Sequence, residues 1–254
     1  MSFDGRVALV SGAGGGMGRL AAQNLARAGA RVAALDINEA GLEETRAGMQ
    51  GIHSFPCDVC DAQAVERNVR AAEDRLGTID RVYNAAGIMP TGQLMEQPTA
   101  LIHKIMQVNY FGTVNVTKSA LPGMLQRKRG DLINFASLAG FMPSPSLGAY
   151  DASKFAVVAF SEVLFHENRG RGVRMTCVCP PAVKTPLFEQ ATPPKTFQMA
   201  WKLEPQQVLD AIETSLDAGE IWCLPGPGTN MVYHLRRLIP NTLWRFIHLI
   251  ERYG

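Results

Sequence analysis

Arg6-Val7-Ala8-Leu9-Val10 runs directly into Ser11-Gly12-Ala13-Gly14-Gly15-Gly16-Met17-Gly18, and an apolar-periodic stretch from Leu20 to Ala28 follows. The first five residues read as a short buried strand, the glycines as a turn and the periodic stretch as a helix. Glycines in that context let the backbone come close to a pyrophosphate and aim helix N-terminal amides at its charge. A second strand, Arg31-Val32-Ala33-Ala34-Leu35, ends in Asp36, 18 residues beyond Gly18. An acidic side chain there accepts from both ribose hydroxyls of NAD and repels a 2′-phosphate. No Lys or Arg stands in the glycine loop or directly after Asp36, so NAD is favoured over NADP.

Working outward, further strand-like runs lie near residues 53, 80, 132, 174 and 221 and alternate with helical stretches. That alternation predicts an α/β fold of the Rossmann type, a doubly wound parallel sheet of about seven strands with helices on both faces. Ligands of such sheets bind at the carboxyl edge, where Asn84 and Ser137 open from their strands. The 254 residues are 46% hydrophobic, enough for one sizeable core, and one domain over residues 1–254 is expected.

Ser137 is followed thirteen residues later by Tyr150 and four further on by Lys154. On a helix, positions 150 and 154 share a face about a turn apart, so an ammonium sits beside a phenol. A free tyrosine, with a pKa of about 10, exchanges protons poorly near neutrality. Cations nearby favour the phenolate, and lowering the pKa by roughly three units needs about 4 kcal/mol. Tyr-x-x-x-Lys alone is weak evidence, and its context gives it weight.

Taken together, these motifs resemble the short-chain dehydrogenase/reductase family over nearly the whole chain. The family's Thr-Gly-x-x-x-Gly-x-Gly is Ser11-Gly12-x-x-x-Gly16-Met17-Gly18 here, and its Asn-Ala-Gly element is Asn84-Ala85-Ala86-Gly87. Asp58, followed by Val59, matches the acidic residue that meets the adenine. Asn109 matches the helical Asn of a water relay, and Ser137, Tyr150 and Lys154 match the catalytic trio. The usual Pro-Gly before Val-x-Thr is Pro180-Pro181 here, while Val183 and Thr185 keep the positions that hold the carboxamide and phosphates. The second proline removes an amide donor and fixes φ near −65°. By this resemblance Tyr150 is the general acid or base. Lys154 tunes it and grips the nicotinamide ribose, Ser137 holds the substrate oxygen, and Asn109 carries the relay water. The hydride moves between substrate and nicotinamide.

The implied activity is NAD-dependent interconversion of a secondary alcohol and a ketone. A reductase of an acyl or steroid carbonyl, or a non-catalytic NAD-binding sensor, remains open as an alternative. Met89, Pro90, Phe141, Met142, Leu187, Phe188, Phe197, Met199 and Trp201 fall in segments expected around the nicotinamide, which favours a hydrophobic substrate. Residues 185–205 have the length and composition of a lid.

A net charge of +2 and the lack of a basic, aromatic-laced stripe argue against nucleic acid. Cys57-x-x-Cys60 and Cys177-x-Cys179 could offer four thiolates, but their spacing is imperfect and Cys57 and Cys179 fall at strand ends, while the five histidines show no ligand spacing, so no metal and no disulfide framework are expected. The first strand starts within about five residues of the N-terminus, leaving no room for a signal peptide, and a cytoplasmic protein is expected. The family implies a homodimer or homotetramer. Residues 241–253 form a basic, amphipathic segment too short to cross a bilayer. It packs on a subunit or the lid, or lies in a membrane surface.

Overall fold

Val7 to Ser11 are all buried, an unbroken run that suits a strand covered on both faces. In the computed structural model, which describes residues 3–189, 195–198 and 202–253, this run is β1 (Val7–Ser11). The other strands are β2 (Arg31–Asp36), β3 (Ile52–Pro56), β4 (Ile79–Asn84), β5 (Gly130–Phe135), β6 (Val173–Val178) and β7 (Trp222–Cys223). All pair in parallel, in the order β3-β2-β1-β4-β5-β6-β7. The sheet grows in opposite directions from β1, and the connections leave a crevice at the carboxyl ends of β1 and β4.

The helices are α1 (Gly16–Arg27), α2 (Glu39–Arg46), α3 (Ala62–Leu76), α4 (Thr99–Met106), α5 (Gly112–Arg127), α6 (Gly148–Glu167), α7 (Pro186–Glu189), α8 (Lys195–Gln198), α9 (Pro205–Ala218), α10 (Thr229–Leu238) and α11 (Pro240–Tyr253). Their ends follow local chemistry. The Asp61 carboxylate accepts from Gln63 N and Ala64 N to start α3, and Glu204 with Gln207 boxes the start of α9 ahead of Pro205.

Alternation along β1 sends Ala8 and Val10 to one face and Val7 and Leu9 to the other. The first face is covered by Ala21, Ala22 and Leu25 of α1 and Val208, Ile212 and Leu216 of α9. The second is covered by Val65, Val69 and Ala72 of α3 and Val116, Ala120 and Met124 of α5. Between α4 and α5 the helix widens into a π turn, Gln107–Phe111, where Gly112 N bonds to Gln107 O. Such turns are frequent at functional sites, and this one carries Asn109.

The edge of the sheet far from the crevice is tied by charge. Arg81 of β4 and Asp131 of β5 stand opposite each other, as do Asp131 and Arg174 of β6. Asp131 takes Arg81 at 2.7 Å on one oxygen and Arg174 at 2.7 Å on the other, while Glu213 of α9 caps Arg81 from outside. Burial works against the Asp131 carboxylate, yet hydrogen bonds from Arg174 and the charge of Arg81 outweigh it and hold its pKa below the ordinary value. The stabilisation is therefore present above the unfolded pKa of about 4 and is lost as pH falls through the lower folded value. Asp131→Ala should leave Arg81 with Glu213 as its one remaining acidic partner and strip Arg174 of its buried partner, and should cost about 3 kcal/mol in urea unfolding at neutral pH, a deficit that shrinks below pH ~4.

Candidate active site

Two glycines shape the turn after β1. Gly12 has φ +70°, and a Cβ on it would lie 2.6 Å from Ala86 N. A Cβ on Gly18 would lie 2.1 Å from Gly12 O, so α1 starts closer to the turn than any side chain permits. The resulting cleft, of about 750 Å³, runs from the turn across the ends of β1, β4 and β5. A cradle of bare backbone at a helix N-terminus suits a pyrophosphate. Asp36 faces the cleft at the end of β2, where one oxygen accepts from Gly14 N at 2.8 Å and the other from Asn38 N at 2.9 Å.

At the far end of the cleft stand Ser137, Tyr150 and Lys154. Ser137 follows β5, while Tyr150 and Lys154 share the first turns of α6. The Lys154 ammonium lies 5.7 Å from the centre of the Tyr150 ring and donates to Phe135 O at 2.8 Å. Both groups are desolvated, with opposite results. Burial pushes the Tyr150 phenol up to about 12, against the pull of its hydrogen bond with Ser137, with Asp151 and Cys179 adding to the rise. Burial also pushes Lys154 down to about 8. Within the chain alone, loss of water is the largest effect on the phenol; the expected lowering pairs Lys154 with the positive charge of a bound cofactor ring.

Gly12, Gly16, Met17, Gly18, Asp36, Asp58, Val59, Gly87, Val183 and Thr185 all line the cleft. Asp58 loses by burial, but hydrogen bonding to Cys60 and the Lys104 charge leave its pKa lowered. Three expected residues do not line the cleft. Ser11 faces inward, accepting from Ala86 N at 3.4 Å, and so clips the turn to the segment after β4. The Asn84 side chain bridges to Thr117 at 3.0 Å and Asn134 at 2.9 Å, because strand alternation turns it toward α5 and β5. Neither Ser11 nor Asn84 therefore presents its side chain to the cleft. Asn109 is fully buried behind the wall, where its amide grips Ile88 N and Ile88 O at 2.8 and 3.0 Å and donates to Ser153 at 2.9 Å.

The apolar lining is narrower than expected. Ile88, Met89, Pro180, Pro181, Leu187 and Phe188 reach the cleft, whereas Phe141 packs edge-on against Trp222 and Tyr233. The expected contributions of Met199 and Trp201, and of the Phe197 side chain, fall outside the described residues, as does part of the 185–205 lid. Two residues with roles at the site escaped the sequence reading. Arg19 lines the cleft beside Asp36, its position after Gly18 giving no sign that the side chain folds back to the turn. Asp151 is buried next to Tyr150 and accepts from Ser144 N at 2.8 Å, anchoring the loop between Phe141 and α6. All five cysteines are free, and Cys177 and Cys179 lie 3.9 Å apart, buried.

Comparison with known proteins agrees with this geometry. The short chain dehydrogenase family profile matches residues 6–196. A putative oxidoreductase SadH of Mycobacterium tuberculosis is 36% identical over 197 residues, covering 75% of this chain and 71% of that protein. Human estradiol 17-beta-dehydrogenase 11 is 30% identical over 258 residues, covering 99% and 84%. The crystal structure of a short-chain dehydrogenase/reductase from Burkholderia phymatum in complex with NAD superposes with a TM-score of 0.85, covering 96% of each chain at 27% identity. The chain belongs to the short-chain dehydrogenase/reductase family. It is an oxidoreductase by that membership, with a cleft suited to a nicotinamide dinucleotide.

Burial raises the Asp151 carboxyl to about 7, and the hydrogen bond from Ser144 only partly offsets it. A folded pKa above the unfolded one means stability present below pH ~4 and lost as pH rises through about 7. Asp151→Asn should therefore raise the melting temperature relative to the native chain at pH 8, with the gain shrinking toward pH 5.

Proposed function

We propose that the protein oxidises an apolar secondary alcohol to a ketone with NAD, and catalyses the reverse reduction at the same site. The observation that carries this reading is that Ser137, Tyr150 and Lys154 share one cleft with the glycine turn and Asp36. A bound oxidised nicotinamide supplies the hydride acceptor and a positive charge near the phenol. Ser137 Oγ holds the substrate oxygen, and the Tyr150 hydroxyl exchanges the proton with it. Lys154 holds the ribose and Asn109 ties the helix to the cleft wall through Ile88. Ala85 to Gly87, Val183 and Thr185 form the nicotinamide half of the cradle, while Asp58 and Val59 flank the adenine. Asp36 supports NAD over NADP by repelling a 2′-phosphate.

The lining by Ile88, Met89, Leu187 and Phe188 supports a hydrophobic substrate, in keeping with the steroid named for the human relative. Tyr150→Phe should keep dinucleotide binding, read by titration, while turnover falls about 10²- to 10⁴-fold. Rates across secondary alcohols of graded apolar size should rise with size in the native enzyme. A flat series would remove the hydrophobic pocket, and an active Phe variant would remove the role of Tyr150.

Two surfaces bear on assembly. Ala152, Phe155, Ala159 and Val163 form an exposed apolar stripe along α6, with Phe111 exposed at the head of α5. The stripe supports a homo-oligomer built on α5 and α6. The second surface is the C-terminal pair. α11 packs on α10 and α8, with Lys195 N donating to Glu251, so one side of it covers the lid segment. Met231, Leu238, Phe246 and Leu249 stay exposed among Arg236, Arg237 and Arg245. Among the described residues no helix is long and apolar enough to cross a membrane, but this outer side suits the surface of an anionic bilayer. Sedimentation tests both ideas. A dimer or tetramer is expected, and it should pellet with phosphatidylserine-containing vesicles. Phe246→Asp with Leu249→Asp should abolish pelleting and leave the oligomer intact. A monomer refutes the first surface, and pelleting that survives both substitutions refutes the second.

A further inference from the structure

Arg19 and Asp36 meet opposite sides of the same short stretch of backbone. The N–H of Gly14 donates to Asp36 at 2.8 Å, and the carbonyl of Gly14 accepts from Arg19 Nη2 at 2.6 Å. The same Nη2 is paired with Glu44 of α2 at 2.7 Å, and Arg19 Nε donates to Thr45 at 3.1 Å. Thr45 is buried and bonds to both Ala13 O and Gly41 O, so the guanidinium is docked on a fixed platform. Arg19, Asp36 and Glu44 all line the cleft. The part of the cleft that receives the adenosine ribose thus holds a cation between two acids.

The Glu44 side chain is 66% exposed, and an ion pair so open to water adds little to stability. Its effect falls instead on what enters the cleft. A 2′-phosphate carries between one and two negative charges and binds best to a guanidinium fork. Here the only fork beside Asp36 among the described cleft residues already has a carboxylate on it. We propose that Glu44 is a specificity-determining residue for the dinucleotide. By holding Arg19 it keeps a latent phosphate site switched off, and it reinforces the repulsion from Asp36. Cofactor choice then rests on two acids, one at the end of β2 and one on α2. This inference rests on the dinucleotide reading of the cleft.

The test is direct binding of NADH and NADPH, read by titration of nicotinamide fluorescence, to the native chain and to Glu44→Gln, Asp36→Asn, the pair of these, and the pair with Arg19→Gln. The native chain should bind NADH at least tenfold more tightly than NADPH. Glu44→Gln should tighten NADPH at least threefold and change NADH less than twofold. The pair should bring NADPH level with NADH or past it. Adding Arg19→Gln to the pair should weaken NADPH at least tenfold and NADH less than threefold. The proposal is overturned if Glu44→Gln leaves NADPH unchanged both alone and with Asp36→Asn, or if Arg19→Gln weakens both dinucleotides alike. A native chain that binds NADH normally while these variants fail the pattern leaves the cofactor cleft intact and removes only the role of Glu44. Binding of neither dinucleotide by the native chain overturns both.

Discussion

An ammonium group buried against a backbone carbonyl is the constraint around which this site is arranged. Lys154 is 5% exposed, and its hydrogen-bond partner is Phe135 O rather than a carboxylate. Taking such a charge out of water costs several kcal/mol even after relaxation. The cost is tolerable because α6 is clamped in place: Ser153 receives Asn109 of the π turn, Asn134 of β5 donates to Ser161, and Gly140 meets α6 so closely that a Cβ would lie 2.8 Å from Lys154 O. With water excluded, lysine and phenol drift toward their neutral forms, which leaves the pair responsive to any charge that enters the cleft.

The frame around that pair was legible because it is written in short-range patterns. Strand, glycine turn and helix follow from residues 6 to 28, and seven apolar runs mark the seven strands. The Ser137, Tyr150 and Lys154 trio was legible from spacing together with family resemblance. What spacing could not show is direction. Ser11 and Asn84 stand at strand ends beside the cleft, yet their side chains face the interior, and a motif match carries no information about which way a side chain points. Burial was equally hidden, because how far Tyr150 is closed off from water is set only once the chain has folded. Arg19 was passed over for the same reason: its partners Glu44 and Thr45 lie about 25 positions away.

The two ends of the sheet show how differently charge is used within one scaffold. At one edge Arg81, Asp131, Arg174 and Glu213 satisfy one another across three strands and a helix. At the other, Asp36 and Asp58 are held by backbone amides and keep a face toward the cleft. The first arrangement is closed, and its energy goes into holding β4, β5 and β6 in register. The second stays open, since a carboxylate bound to peptide N–H groups retains lone pairs for a sugar hydroxyl.

The widened turn at Gln107–Phe111 makes α4 and α5 one rod with a change of phase. Five residues close the turn through Gly112 N and Gln107 O, where a uniform helix would bond four apart. Everything downstream is thus rotated by about 100° relative to an unbroken helix. That offset lets Asn109 look toward Ile88 and Ser153 while Val116, Ala120 and Met124 still meet the sheet. Gly112 completes the fit, since a methyl there would lie 2.7 Å from Val59 on the cleft wall. Residue number in this rod is therefore as tightly constrained as residue type: losing a single position would straighten the backbone and swing either the amide or the core stripe out of place.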